Sequence, residues 1–225
     1  VFAMSGPMGG SASEEFLAPM PIGEDTFALA PSGKAWNVEA LSTPELPEID
    51  ASATPAASKE ATPDAKTIDN MIERANADHP RTDGREWQAS DILKNVVITV
   101  KHPEDEEHDE PWREVIVVGV PGDRMVDMKR LEAQFAPAEL EEATEEDLKQ
   151  HPELVPGYIG PMVLGPQAEA AGVKNPVRYL IDAHAVKGSA WFTGADENEV
   201  DYYNLVYGRD FKADGVDRKS TRLNS

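Results

Sequence analysis

NVVITVKHPEDEEHDEPWREVIVVGV, residues 95–120, decides how this chain is read. Its two ends, 95–101 and 114–120, are short apolar runs rich in β-branched residues, which fit buried strands better than helices. Between them HPEDEEHDEP carries six acids in ten residues. Such a stretch cannot be buried and reads as a solvated hairpin loop. Working outward, 66–77 places Ile68, Met71, Ile72 and Ala75 at helical spacing. Gly122-Asp123 is expected to open a second helix, with Asp123 as its N-cap and Met125, Met128, Leu131 and Phe135 on one face. Thr144 to Asp147 has the form of a capping box, opening a short helix to Gln150 that ends before Pro152. Residues 178–182, 185–187 and 204–207 read as further short strands. Helices against a hairpin-connected sheet make an α+β domain, its sheet mixed but mainly antiparallel and its helices flanking. Residues 1–41 suggest sheet and turns. The following 42–63, with Pro44, Pro47, Pro55 and Pro63, reads as a boundary segment or linker.

The chain has 225 residues, 42 of them acidic and 21 basic, for a formal net charge of −21. That balance argues against broad attraction to nucleic acid or anionic membranes, although a local basic patch can override the global sign. With no cysteine there is no disulfide, thiol nucleophile or thiolate metal site. No run approaches the roughly 18 apolar residues of a membrane-spanning helix, and a soluble, cytoplasmic protein is expected. The opening at Val1 reads as the inside of a longer protein. The last nine residues, DRKSTRLNS (217–225), hold three basic residues and one acid. They back-translate to a common sequencing-adapter string and are expected to be non-native.

Chemistry-bearing residues are sparse. His102 and His108 flank the acidic loop, but ordering a floppy loop around a cation is costly, and the segment reads as solvated rather than metal-binding. His184, after Asp182, reads as a packed or surface residue. Dinucleotide, P-loop, zinc-protease and nucleophile-elbow patterns are all absent. VPGYIGPMVLGP (155–166) holds three glycines and three prolines. Gly157 and Gly160 there permit positive φ or close backbone approach, so this strap either lines a ligand pocket or makes a tight crossover. Lys94 and Lys101 bracket one apolar strand and Asp182 ends another. If those strands are neighbours, a cation and a carboxylate face a common pocket; otherwise all three are solvent-facing strand ends.

The order of motifs carries further. MGGSASEEF (8–16) and GEDTFALAPSGKAWNVEAL (23–41) resemble the end of catalytic motif 2 in bacterial-type prolyl-tRNA synthetase, a class II aminoacyl-tRNA synthetase. TPDAKTI (62–68), the Lys94-led strand, PGDRMVDMKRL (121–131), EEATEEDL (141–148), GYIGP (157–161), LIDAHAV (180–186) and TGAD…GRDF (193–211) follow in the order of that enzyme's inserted editing domain. The resemblance implies that 1–45 is a partial class II catalytic core built on antiparallel sheet, that 46–216 is the editing domain, and that 217–225 lies outside both. It also implies a parent enzyme that activates proline with ATP and Mg²⁺ and charges tRNA(Pro), dimerising through the missing core. The inserted domain hydrolyses mischarged Ala-tRNA(Pro) without a metal or cofactor, and no membrane partner is implied. A freestanding trans-editing deacylase and a non-enzymatic acidic interaction protein are the alternatives. The first has no place for GGSASEEF, and the second leaves the ordered motifs unexplained.

Carried over residue by residue, the resemblance makes Lys94, Asp182 and Asp201 the catalytic candidates, with Lys94 contacting the aminoacyl-tRNA end. Thr62, Gly157 and Gly160 become editing-pocket residues. Gly9, Gly10, Ser11 and Glu15 belong to the partial synthetic site. Asp201 departs from the pattern, which has histidine there, and GAD (194–196) replaces the usual GAN. Altered alanine specificity or weak editing is the expected consequence. Lys94, Lys101, Arg178, Lys187 and Arg209 are the candidates for a local basic patch.

Overall fold

The computed structural model describes residues 1–3, 13–14, 16, 18–20, 27–44, 46–47, 50–65, 67–186 and 190–224. The chain divides into two compact units, Val1–Pro44 and Glu45–Ser225. In the first, β1 (Phe2–Ala3), β2 (Ser13–Glu14), β3 (Phe27–Leu29) and β4 (Ala35–Asn37) form one sheet in the order β2-β1-β4-β3. Only the β1–β4 pairing is parallel.

The second unit runs β5 (Ser58–Ala61), α1 (Ile68–Asp78), β6 (Leu93–His102), β7 (Trp112–Pro121), β8 (Arg124–Val126), α2 (Met128–Phe135), β9 (Glu139–Glu142) and α3 (Glu145–Lys149). It continues with β10 (Arg178–Asp182), α4 (Ala183–Val186), β11 (Trp191–Glu197), β12 (Val200–Leu205), β13 (Gly215–Asp217) and β14 (Thr221–Leu223). A five-stranded mixed sheet, β13-β10-β7-β6-β9, is the centre. β6 and β7 are antiparallel through the hairpin, whereas β10 runs parallel to both β7 and β13. A second sheet, β11-β12-β5, is antiparallel throughout, as is the β14-β8 ribbon. The architecture is α+β with mainly antiparallel pairing.

Strand alternation sorts the core. Even-numbered Val96, Ile98, Val100, Ile116, Val118, Val120 and Leu180 pack with Leu131, Met128 and Phe135 of α2. Odd-numbered Leu93, Val97, Val115, Val117, Tyr179 and Ile181 pack on the other side, with Leu164, Trp191 and Leu205. Each face is a nearly continuous apolar surface, as expected of strands covered on both sides. At the hairpin's far end the imidazoles of His102 and His108 stack on the Trp112 ring, with centroids 3.9 and 4.4 Å away. Glu114 and Asp105 hold those imidazoles at 2.9 Å.

The helices at 68–78 and 145–149 start where the sequence places them, capped by Thr67 and by the Thr144–Asp147 box. Four expectations are corrected. Gly122-Asp123 turns β7 into β8 instead of opening α2, because Arg124–Val126 pairs with β14; the N-cap is Asp127, whose Oδ1 accepts from Arg130 N–H at 3.2 Å. Residues 183–186 form a helical turn, not a strand, drawn in where Asp182 accepts the His184 N–H at 2.6 Å. The strand expected at 204–207 is β12, ending at Leu205, because Asn204 turns to φ 61° and Arg209 and Asp210 N–H both bond the Val206 carbonyl. The 42–63 segment is not linker throughout, since Ser58–Ala61 adds an edge strand to β12.

Leu131, 1% exposed, is the centre of the α2 contact with the sheet. Leu131→Ala is expected to cost about 2–5 kcal/mol, read as a lower urea midpoint with an unchanged denaturant slope.

Candidate functional site

The strap and the β11–β12 hairpin meet backbone to backbone at Gly160 and Gly194. A Cβ on Gly160 would run into the Gly194 carbonyl oxygen, and one on Gly194 would strike the Tyr158 backbone. Both glycines are therefore required by close approach, whereas Gly157, with open space around it, is required by its φ of +86°. Hydrogen bonds lock the contact. Asp196 N–H donates to the Tyr158 carbonyl at 2.8 Å, and Gly160 N–H donates to Asp196 Oδ1 at 2.8 Å. From the sheet below, Asn95 Nδ2 donates to the Ile159 carbonyl at 2.9 Å and is itself oriented by the Tyr179 hydroxyl at 2.8 Å.

Gly194 pairs across the hairpin with Asp201. Asp201 is 1% exposed and accepts a hydrogen bond from the Thr62 hydroxyl, itself fully buried. Thr62 is held in turn by its N–H to the Glu199 carbonyl at 2.8 Å. Burial pushes the Asp201 carboxyl up to about 6, with the Thr62 bond pulling the other way. Asp196 is pushed up to about 7 by burial, against the Gly160 N–H and the Lys59 charge; Glu153 adds to the rise. Two carboxyls of raised pKa thus sit at one hairpin against the strap.

Lys94 and Asp182 lie elsewhere. Their strands are not neighbours, because β7 runs between them. Lys94 pairs with Val120, and Asp182 follows Ile181, the partner of Gly119, so the two share a row on the α2 face about 10 Å apart. Lys94 Nζ donates to the Arg124 carbonyl at 2.7 Å. Burial pulls its pKa down and the Asp123 charge offsets part of that. Asp182 is fully buried. Its Oδ1 meets His184 Nδ1 at 2.7 Å and its Oδ2 accepts from the Thr221 hydroxyl. Residues 217–224 accordingly pack over this row: Asp217 pairs with Asp182, Thr221 with Val126, and Asn224 N–H donates to the Asp123 carbonyl at 2.9 Å.

Thr62, Gly160 and Asp201 therefore come together, with Gly157 at the strap's start, while Lys94 and Asp182 form a second group. The two groups lie on opposite faces of β6, where Leu93 and Asn95 bond Thr193 and the strap while Lys94 between them faces the other side. Gly9, Gly10, Ser11 and Glu15 lie outside the described residues, as does Lys187. The other basic candidates are already engaged: Lys101 by Glu139 and Glu141 at 3.6 Å, Arg178 by Glu114 at 3.0 Å and Arg209 by Asp210 at 2.8 Å. Asp196 enters the sequence reading only as the departure of GAD (194–196) from GAN, and the close approach at Gly194 not at all. A glycine inside a strand is the signal that would have flagged the close approach. No helix among the described residues is long and apolar enough to cross a membrane.

A glycine strap clasped to a carboxyl-bearing hairpin beside a two-faced sheet is the setting for the comparison with known proteins. The aminoacyl-tRNA editing domain family matches residues 62–203, and the chain belongs to that family. Over 216 residues, 96% of this chain, it is 98% identical to the proline--tRNA ligase of Bifidobacterium longum (strain NCC 2705). It is 77% identical over 217 residues to that of Bifidobacterium animalis subsp. lactis (strain AD011), and 50% identical over 215 residues to that of Kineococcus radiotolerans. The chain spans about a third of the length of these relatives, 36%, 36% and 35% respectively.

The Asp201 carboxyl titrates in the folded chain at about 6, above its ordinary 3.8. The unfolded chain then loses its proton first as pH rises, so stability falls between about pH 4 and 6 and stays lower above. Asp201→Asn removes that loss and keeps an acceptor for Thr62. At pH 8 it is expected to be more stable than the parent by up to about 3 kcal/mol, with the difference vanishing near pH 4. Urea titrations at the two pH values check this, and equal differences at both would contradict it.

Proposed function

We propose that this chain is the editing part of a proline--tRNA ligase, preceded by a strip of the catalytic core, and that it hydrolyses alanine from mischarged tRNA(Pro). In this reading 1–45 is core and 46–216 the editing domain, while 217–225 is foreign to both. The observation that carries it is the convergence of Thr62, Gly160 and Asp201, residues distant in sequence, around the Gly194–Asp201 hairpin. The need for such a site is physical. Alanine is smaller than proline, and a pocket that accepts proline discriminates against a missing methylene by only about 1–3 kcal/mol. A second pocket that proline cannot enter removes the error by size.

The reaction is cleavage of the aminoacyl ester by a positioned water, helped by the tRNA's own terminal hydroxyl. The strap forms the wall against the aminoacyl group. Thr62 and Asp201 fix the hairpin side, and the Lys94 ammonium holds the negatively charged tRNA end. Asp182, on the α2 face of the same sheet, is the further carboxylate assigned to deacylation. The partner is tRNA(Pro). In the whole enzyme proline and ATP with Mg²⁺ are used, through residues such as Gly9, Gly10, Ser11 and Glu15, and a homodimer forms through the core. ATP with Mg²⁺ supplies activation of the proline carboxyl there, and the editing step uses neither. The setting is the cytoplasm.

Single-turnover deacylation of Ala-tRNA(Pro) and Pro-tRNA(Pro) by this chain tests the reading. Selective loss of alanine is expected, and Lys94→Ala should slow it about tenfold, the scale of one lost charge-assisted contact. Survival of both esters alongside a folded circular-dichroism spectrum would sink the proposal. Asp201→His should change the alanine rate or selectivity; no change in either removes Asp201 from the pocket.

A further inference from the structure

Asp196 does more than line the hairpin. It sits at φ +55°, a left-handed conformation uncommon for a residue other than glycine. That twist aims both its N–H and its carboxyl at the strap: the N–H bonds the Tyr158 carbonyl and Oδ1 receives the Gly160 N–H, each at 2.8 Å. The two bonds close a ring over the point where Gly160 and Gly194 touch. The second carboxyl oxygen, Oδ2, is buried with no hydrogen-bond partner among the described residues.

We propose that Asp196 is a positioning residue for the editing reaction, the clasp that holds the 157–160 strap against β11 at the spacing the aminoacyl group requires. This rests on the editing reading above. The Gly160 N–H by itself favours the carboxylate, and burial works against the charge. A carboxylate with one buried, unpaired oxygen is driven toward water, and moving there takes Oδ1 off Gly160. The charged groups facing it are Lys59 on β5, which favours ionisation but is itself paired with Glu197 at 2.8 Å, and Glu153 before the strap, which opposes it. Burial outweighs them and holds the carboxyl near pH 7, so the clasp slackens as pH rises through neutrality.

The test compares the parent chain with Asp196→Asn and Asp196→Ala by two readouts. One is hydrogen exchange of the Gly160 amide; the other is the pH profile of Ala-tRNA(Pro) deacylation from pH 6 to 8. Asparagine keeps the acceptor and cannot ionise. The expected result is about tenfold faster Gly160 exchange and a comparable fall in kcat/KM for Asp196→Ala, with both rescued in Asp196→Asn. The parent-to-Asn rate ratio should also fall several-fold as pH rises. Unchanged Gly160 exchange in Asp196→Ala overturns the clasp, and so does faster exchange with unchanged kcat/KM. If Asp196→Ala does not fold, the parent-to-Asn ratio decides: a falling ratio supports the clasp and a flat one overturns it. If the parent deacylates nothing, the editing reading has failed, and Gly160 exchange alone then upholds or overturns the clasp.

Discussion

The β6–β7 ladder is the constraint on which the rest of the second unit depends. Ten consecutive residue pairs, from Leu93 with Pro121 to His102 with Trp112, fix its register. Because side chains alternate, that register sends Asn95 up to the strap and Lys94 down toward Arg124. A slip of one residue would exchange them, burying the ammonium under the strap and removing the amide that holds Ile159. Two apolar faces oppose such a slip, one packed by α2 and one by the strap and β11. The hydrophobic pattern of a single hairpin thereby sets the direction in which every proposed functional group on this sheet points.

How much of this was legible depended on whether a segment carried its own signal. The runs 95–101 and 114–120 did, because strands buried on both faces must be apolar regardless of context. The capping box at Thr144 did, because a capping side chain answers its own helix. Segments whose structure is imposed by a neighbour gave no such signal. Ser58–Ala61, reading SKEA, is a strand only because β12 offers it an edge, and Arg124–Val126 became a strand through its pairing with β14. The Thr62–Asp201 contact joins residues 139 apart; family resemblance suggested both, but no spacing rule links them. His102 and His108, read as members of a solvated loop, instead organise its end through Trp112.

The charge of the chain takes on a different meaning once its partners are seen. An excess of acid would ordinarily be read as solubility, yet Asp91, Asp147, Asp182, Asp201 and Asp217 are all buried. All but Asp91 accept hydrogen bonds that pin one part of the chain to another, as Asp147 ties α3 to β6 through Thr99 and to β7 through Arg113 at 2.8 Å. Arg85 and Arg113 are drawn into two of these contacts, with Asp91 and Asp147.

The glycine-to-glycine contact has a consequence for how such a site can change over generations. Where a wall is made of side chains, its position drifts with every rotamer and every substitution behind it. Here strap and hairpin meet backbone against backbone, and neither Gly160 nor Gly194 has room for a Cβ. Substituting either glycine forces the walls apart in one large step. Gradual retuning must come from the rim, through residues such as Thr62 and Asp201, whose chemistry can vary while the gauge beside them stays fixed.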